Sequence, residues 1–486
     1  MKVLKNYLYN TSYQLLSIIL PIVTIPYISR VLGPSGTGLN TYTQSIVQYF
    51  VLFGMLGVNY YGNREIASSN NEKEKVSKKF FEIYILQMLT CLLAFVLYAV
   101  FVLFLNYNSS LMFIQSIYII SAFFDISWFF LGLEKFGGVV IRNTFVKIIG
   151  TILMFLFVKN ENDVYLYAFI IAISTLIGQL VMWLSLKGYL VKVKFTVLLK
   201  EISIRKSFNN HFKGMLLLFI PQIAIQVFNI MDKILLGYHS GSADVAYYDG
   251  AYKVTRIALT LLTSLGTVML PRMSKEIAAG NTKKVLEYLK KSLDFVLFFS
   301  IPLMAGLILI PPKFVPWFFG DGYQQVELLM PIISVIVLFI AVNNVIGVQY
   351  MIPSRMNKEY TISVVTGAVV DIIFNIIFVF ILDLNAVGAA ISLVIAEFSV
   401  VLVQMFYAKK ILKQIISSET IKYIIASIIM FIFVNFVTTT MSAHIGATLI
   451  QALLGILVYG FVLIVLRAHI ITMFLNMIQK SKKVFK

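Results

Sequence analysis

Apolar residues in this chain come in long unbroken runs, and polar residues collect in the short stretches between them. The runs are continuous rather than alternating, so they lack the period of a half-buried strand. A helix needs about 20 apolar residues to cross the hydrocarbon core of a bilayer. In lipid every backbone N–H and C=O must be paired inside the protein, which leaves only helices and closed barrels as spanning structures. The pattern predicts fourteen transmembrane helices, at 8–32, 41–62, 80–105, 111–133, 143–158, 164–186, 214–238, 245–271, 292–310, 326–352, 360–382, 386–408, 423–440 and 447–466. The expected fold class is therefore an all-α polytopic membrane protein.

Composition agrees with that pattern. Hydrophobic residues make up 59% of the 486 residues and charged residues only 13%, against about 45–50% and about 25% in soluble proteins. Cys91, the single cysteine, lies inside a run, which excludes a disulfide framework and a thiolate metal site. The histidines (His211, His239, His444 and His469) are scattered. The short basic stretch before the first run has no small-residue cleavage site after it and reads as the lead-in to span one.

Charge orients the spans. The chain carries 40 Lys and Arg against 22 Asp and Glu, a net charge of +18. In a soluble protein this would point to nucleic acid; in a membrane protein basic residues gather in cytoplasmic loops. With the first end in the cytoplasm, 33 of the basic residues fall in cytoplasmic segments and only Lys159 and Lys313 fall outside. A wrong number of spans would mix the two groups, so both termini are expected in the cytoplasm. The stretch 187–213 is basic enough to touch anionic lipid.

Five basic residues remain, all within spans: Arg30, Lys147, Lys233, Lys253 and Arg256. Each costs about 2.5–3.5 kcal/mol at mid-bilayer, so each needs a cavity or a partner. Lys253 and Arg256 lie mid-span, three residues apart, and Asp249 one turn earlier shares their face. One acid does not neutralise two bases, which favours a water-filled cavity over a self-contained pair. Lys147 is also mid-span. Arg30 and Lys233 sit near outer span ends, where they either snorkel to the interface or line the same path; Asp232 is a ready partner for Lys233. Asp125, Asp371 and Glu397 lie near mid-depth and either pair with these bases or take up protons in a coupling cycle. A cationic path of this kind suits phosphate or pyrophosphate, because Arg offers paired donors and Lys a mobile charge.

A duplication is visible. Arg30-Val-Leu-Gly33, Ser35-Gly36, Tyr42 and Arg64-Glu-Ile-Ala67 are echoed by Lys233-Ile-Leu-Leu-Gly237, Ser240-Gly241, Tyr247 and Lys275-Glu-Ile-Ala278. Six spans separate the copies, so the halves are expected to be parallel repeats, a common transporter plan. The predicted organisation is an N-terminal lobe over 1–213, a C-terminal lobe over 214–410, and spans thirteen and fourteen with a cytoplasmic tail over 411–486. Pro21, Pro26, Pro221, Pro302 and Pro331 fall within spans, either as fixed kinks or as points of bending. Gly33-Pro-Ser-Gly-Thr-Gly38 lacks the Lys-Ser/Thr ending of a phosphate-binding loop, and no catalytic motif is present, so neither ATP hydrolysis nor enzyme activity is expected. The external stretch 311–325, with Trp317, Phe318, Phe319 and Tyr323, fits the bilayer interface.

The run Ile25-Pro-Tyr-Ile-Ser-Arg-Val-Leu-Gly-Pro-Ser-Gly-Thr-Gly-Leu-Asn-Thr-Tyr42, with Gly57 and Asn63-Arg-Glu-Ile-Ala67, resembles the opening of the Wzx-type polysaccharide-biosynthesis flippases. These belong to the multidrug/oligosaccharidyl-lipid/polysaccharide exporter superfamily. Phe319-Gly-Asp-Gly-Tyr323, Asp371-Ile-Ile-Phe-Asn375, Gly388-Ala-Ala-Ile391 and Glu397 extend the resemblance along the chain. It implies two six-helix lobes plus two further helices, and alternating-access transfer of an undecaprenyl-pyrophosphate-linked oligosaccharide from the inner to the outer leaflet. It places the family's lumen cations at Arg30, Lys253 and Arg256. It further implies a proton or sodium gradient as driving force, no cofactor, and work alongside polysaccharide polymerase machinery. The alternatives are a multidrug exporter of the same superfamily, a peptidoglycan-precursor flippase and a membrane-embedded polymerase.

Overall fold

The structure, a computed structural model, describes residues 2–69, 72–105, 107–190, 204–415 and 417–470. Among these residues there are helices and connecting turns and no strand. The chain forms two compact units, Met1–Gly237 and Tyr238–Lys486.

Unit 1 contains α1 (Lys2–Met55), α2 (Val58–Ala67), α3 (Lys73–Leu105), α4 (Ser109–Gln115), α5 (Ile117–Phe123), α6 (Ser127–Gly132), α7 (Phe136–Phe157), α8 (Val164–Leu184) and all but the last two residues of α9 (Ile204–His239). Unit 2 continues with α10 (Ser242–Ala278), α11 (Thr282–Leu309), α12 (Pro311–Phe318), α13 (Gln325–Ser334) and α14 (Ile336–Asn343). It ends with α15 (Asn357–Asn375), α16 (Asn385–Tyr407), α17 (Lys409–Ile415), α18 (Glu419–Thr438) and α19 (Ile445–Val465). Eleven stretches among the described residues are long and apolar enough to cross a membrane. They fall on predicted spans three to six and eight to fourteen. Predicted spans one and two fall on α1 and α2, and span seven on α9. The protein is a multi-pass membrane protein.

Helix α1 is two helices joined at Gly33, whose φ of 63° and ψ of 179° belong to a region essentially reserved for glycine. Pro34 then opens the second arm, at the one helical position where a missing N–H costs nothing. Pro21 and Pro26 lie inside the first arm. In the second half of the chain Gly241 takes the same conformation, φ 96° and ψ 176°, between α9 and α10. Matching these two glycines gives the duplication a different register from the one that pairs Gly33 with Gly237, and in it Arg30 corresponds to Tyr238 rather than to Lys233.

Predicted span four is not one helix but three short ones, α4, α5 and α6, broken at Ser116 and again at 124–126. Backbone groups freed at membrane depth must be satisfied inside the protein, and the fully buried Gln87 of α3 does this. Its Nε2 donates to Ala122 O (2.7 Å) and Asp125 O (2.9 Å), and its Oε1 accepts from the Trp128 indole N–H (3.0 Å). Around this knot Phe80, Trp128, Phe129 and Tyr84 form an aromatic cluster. Gln87→Leu removes all three bonds and leaves a buried indole N–H bare, so it is expected to cost about 2–4 kcal/mol. The measurement is the thermal unfolding midpoint in detergent, and an unchanged midpoint contradicts the assignment.

In unit 2 the helix of α14 widens into a π-helical stretch, Asn344–Met351, and α15 ends in another, Ile376–Ile381. Gly347 makes room for the first: a Cβ there would lie 2.9 Å from both Asn343 Oδ1 and Gln404 Nε2. Gln404 Nε2 donates to Asn343 Oδ1 (2.7 Å) and Ser363 Oγ (3.2 Å), fastening α16 to α14 and α15. The last two spans dock on α11 and α12 through polar contacts. Tyr423 OH donates to Asp294 Oδ1 (2.8 Å), Tyr459 OH to Phe298 O (2.7 Å), and Trp317 Nε1 to Thr448 Oγ1 (2.9 Å). Lys313 donates to the carbonyls of Thr439 and Met441 just past the C-terminus of α18, where a cation also meets the favourable end of the helix dipole.

Candidate functional site

Helices that face lipid in this protein are easy to recognise. Helix α3 exposes Leu89, Leu92, Leu93, Val96, Leu97 and Leu103, and α19 exposes a similar apolar set. Helix α10 is different. Among its described residues no large apolar side chain is exposed; between Ser242 and Leu270 the exposed positions are Lys253, Arg256 and Ser264, and Tyr252, Thr260 and Thr263 are half-buried beside them, as are apolar Val254, Ile257 and Leu265. Hydroxyls and charges on that face need water or ligand rather than hydrocarbon.

The charges on it are arranged in depth. Lys253 and Arg256 are both exposed, while Asp249 and Glu397 are buried beneath them. Lys253 Nζ lies 2.5 Å from Asp249 Oδ2, one helical turn back. The Arg256 guanidinium sits 5.5 Å from the centre of the Tyr252 ring, and Tyr252 in turn lies parallel to Tyr248. Arg256 also acts electrostatically on Glu397 of α16. Two accessible bases over two buried acids form a face that is positive toward solvent. An anion arriving there meets the cations first, and a guanidinium placed over a ring by a cation–π contact can still offer paired donors to phosphate oxygens.

Four of the nine residues singled out in the sequence are thereby brought together: Asp249, Lys253, Arg256 and Glu397. The others are placed elsewhere. Asp371 is fully buried on α15 and its Oδ1 accepts from Asn375 Nδ2 (3.2 Å). Asp125 Oδ1 accepts the Ser127 N–H (2.9 Å) and the Ser127 hydroxyl, closing the start of α6. Arg30 is exposed in the last turn before Gly33, Lys147 is half-buried on α7, and Lys233 is half-buried on α9 beside the buried Asp232. Sequence reading missed Tyr252. Its signal was present in the one-turn spacing to Arg256, which puts an aromatic ring under a guanidinium.

Comparison with known proteins places this arrangement. The family model described as polysaccharide biosynthesis protein matches residues 3–276, more than half of the chain. The chain belongs to the polysaccharide-biosynthesis protein family. A second model, MatE, matches residues 218–381 of this family member. A putative O-antigen transporter of Escherichia coli K12 is 24% identical over 414 residues, covering 83% of this chain and 96% of the relative. Among solved structures, the lipid II flippase MurJ in an inward closed conformation superposes with a TM-score of 0.76 at 22% identity, over 95% of this chain and 99% of that one. An inward-facing multidrug resistance MATE transporter gives a TM-score of 0.60 at 12% identity, over 81% and 96%. This member of the polysaccharide-biosynthesis family therefore has the MurJ/MATE-like fold.

Proposed function

We propose that the protein is a flippase that carries an undecaprenyl-pyrophosphate-linked oligosaccharide from the inner to the outer leaflet of a bacterial plasma membrane, with both termini in the cytoplasm. The observation that carries this reading is the accessible face of α10, where Lys253 and Arg256 stand exposed above Asp249 and Glu397. That face suits a pyrophosphate and disfavours the cationic drugs of a multidrug exporter, because the acids that would attract a cation lie beneath the bases. Arg30, Lys147 and Lys233 are further points of contact for the anion, and Asp125 and Asp371 are further sites where a proton or sodium gradient could act on the transport cycle. The protein works as a transporter rather than an enzyme, without a cofactor, and hands its substrate to polysaccharide polymerase machinery.

The test uses vesicles containing the purified protein and a lipid-linked oligosaccharide in the inner leaflet only, with sugar appearing outside measured by lectin binding. Appearance of the oligosaccharide outside is the expected result. Transfer of a peptidoglycan precursor but not of the oligosaccharide selects the precursor flippase instead. Drug efflux without sugar transfer selects the exporter, and polymer formation without transfer selects a polymerase.

A further inference from the structure

The second arm of α1 has an accessible face that the cationic reading leaves unused. Thr37, Thr41, Gln44 and Gln48 follow one another at intervals of four, three and four residues, which places them on a single helical face. All four are half-buried, whereas Gly38, Asn40, Tyr42, Thr43, Ser45, Ile46 and Val47 around them are buried. In the first arm of the same helix Ile19, Ile22 and Val23 are exposed instead. A partly open row of two hydroxyls and two amides belongs in an aqueous passage.

The glycine register shows where this row stands in the duplication. Aligning Gly33 with Gly241 puts Thr41 at the position of Asp249, Gln44 at Tyr252 and Gln48 at Arg256. From Thr41 to Gln48 the face in unit 1 is polar and uncharged where its counterpart in unit 2 carries Asp249 and Arg256, while Thr37 falls at the buried, apolar Val245. From this we infer that the Thr37–Gln48 face binds sugar residues, an inference that rests on the proposed function. Sugars carry no charge and present hydroxyls that both donate and accept, which is what amide and hydroxyl side chains match. The face is also held in place. Gln44 Nε2 donates to Tyr118 OH (3.0 Å), and on the buried side Gln115 Nε2 donates to Asn40 Oδ1 (3.0 Å), which fastens the arm to α4. A fixed helix with pre-oriented amides can discriminate between sugars.

The test measures binding of two probes to the full-length protein in nanodiscs: undecaprenyl pyrophosphate without sugar, and undecaprenyl pyrophosphate carrying a trisaccharide. The parent protein is expected to bind the trisaccharide form more tightly. Gln44→Leu with Gln48→Leu is expected to bind the sugar-free lipid as the parent does and to lose about tenfold in affinity for the trisaccharide form. Gln48→Leu alone, which spares the bond to Tyr118, is expected to lose part of that gain and guards against misfolding of the double variant. An undiminished trisaccharide advantage in a folded variant overturns the inference, and so does an equal loss on both probes. A parent protein that binds neither probe overturns the flippase reading itself, and the inference falls with it.

Discussion

Replacing Lys253 and Arg256 together with glutamine is expected to abolish sugar transfer in vesicles while leaving the protein in the membrane. A hydrogen bond between charged groups contributes about 1.5–3 kcal/mol, so losing both cations weakens pyrophosphate binding by roughly a hundredfold to ten-thousandfold. Folding is expected to survive for two reasons. Lys253 is half exposed, so its ion pair with Asp249 is screened and contributes little to stability. Glutamine also keeps an amide donor within reach of the buried Asp249 carboxylate. Arg256→Lys separates charge from geometry: it preserves the cation, loses the paired donors and the guanidinium's contact with the Tyr252 ring, and is expected to give an intermediate rate. Parental transfer by the double variant would show that α10 does not bind the anion.

Much of this architecture is legible in the amino-acid sequence because a bilayer imposes one thickness on every crossing. The apolar runs mark that thickness and therefore locate the spans. They do not mark where helices end: α3, α9, α10 and α11 all continue past their runs as more polar helix, for example from Lys73 in α3 and to Ala278 in α10. The break in span four is equally invisible to hydropathy, because the stretch Ser109–Gly132 is as a whole apolar enough to cross a membrane and the device that permits the break, Gln87, sits on another helix. The duplication was readable as letters, but its register was not. Gly237 resembles Gly33 in its neighbours, and only backbone conformation shows that Gly241 is its equivalent. Of the three mid-depth acids beyond Asp249, the sequence offered no means of choosing. Packing of α16 against α10 brings Glu397 within electrostatic reach of Arg256.

Gly33→Ala and Gly241→Ala are each expected to lower the thermal unfolding midpoint and to slow transport, although neither added methyl group meets anything. A Cβ at either position has no heavy atom within 4 Å, so packing contributes nothing to the outcome. What remains is the backbone: with φ positive and ψ near 180°, any L side chain is strained by about 1–3 kcal/mol. Gly138 provides the control. It too has open space around a new Cβ, but it lies within α7 in ordinary helical conformation, where alanine stabilises by roughly 0.5–1 kcal/mol. The same chemical change in equally empty surroundings should thus raise stability at Gly138 and lower it at Gly33 and Gly241. Strain at Gly241 is relieved by turning the start of α10, and that rotation displaces the row Asp249–Tyr252–Lys253–Arg256 from its partners. Gly241→Ala is therefore expected to reduce transfer of the lipid-linked oligosaccharide by more than its loss of stability explains, measured as vesicle transfer per folded molecule. If Gly33→Ala, Gly241→Ala and Gly138→Ala prove indistinguishable in midpoint and in transfer, the two glycine breaks are not what sets the helices that carry the site.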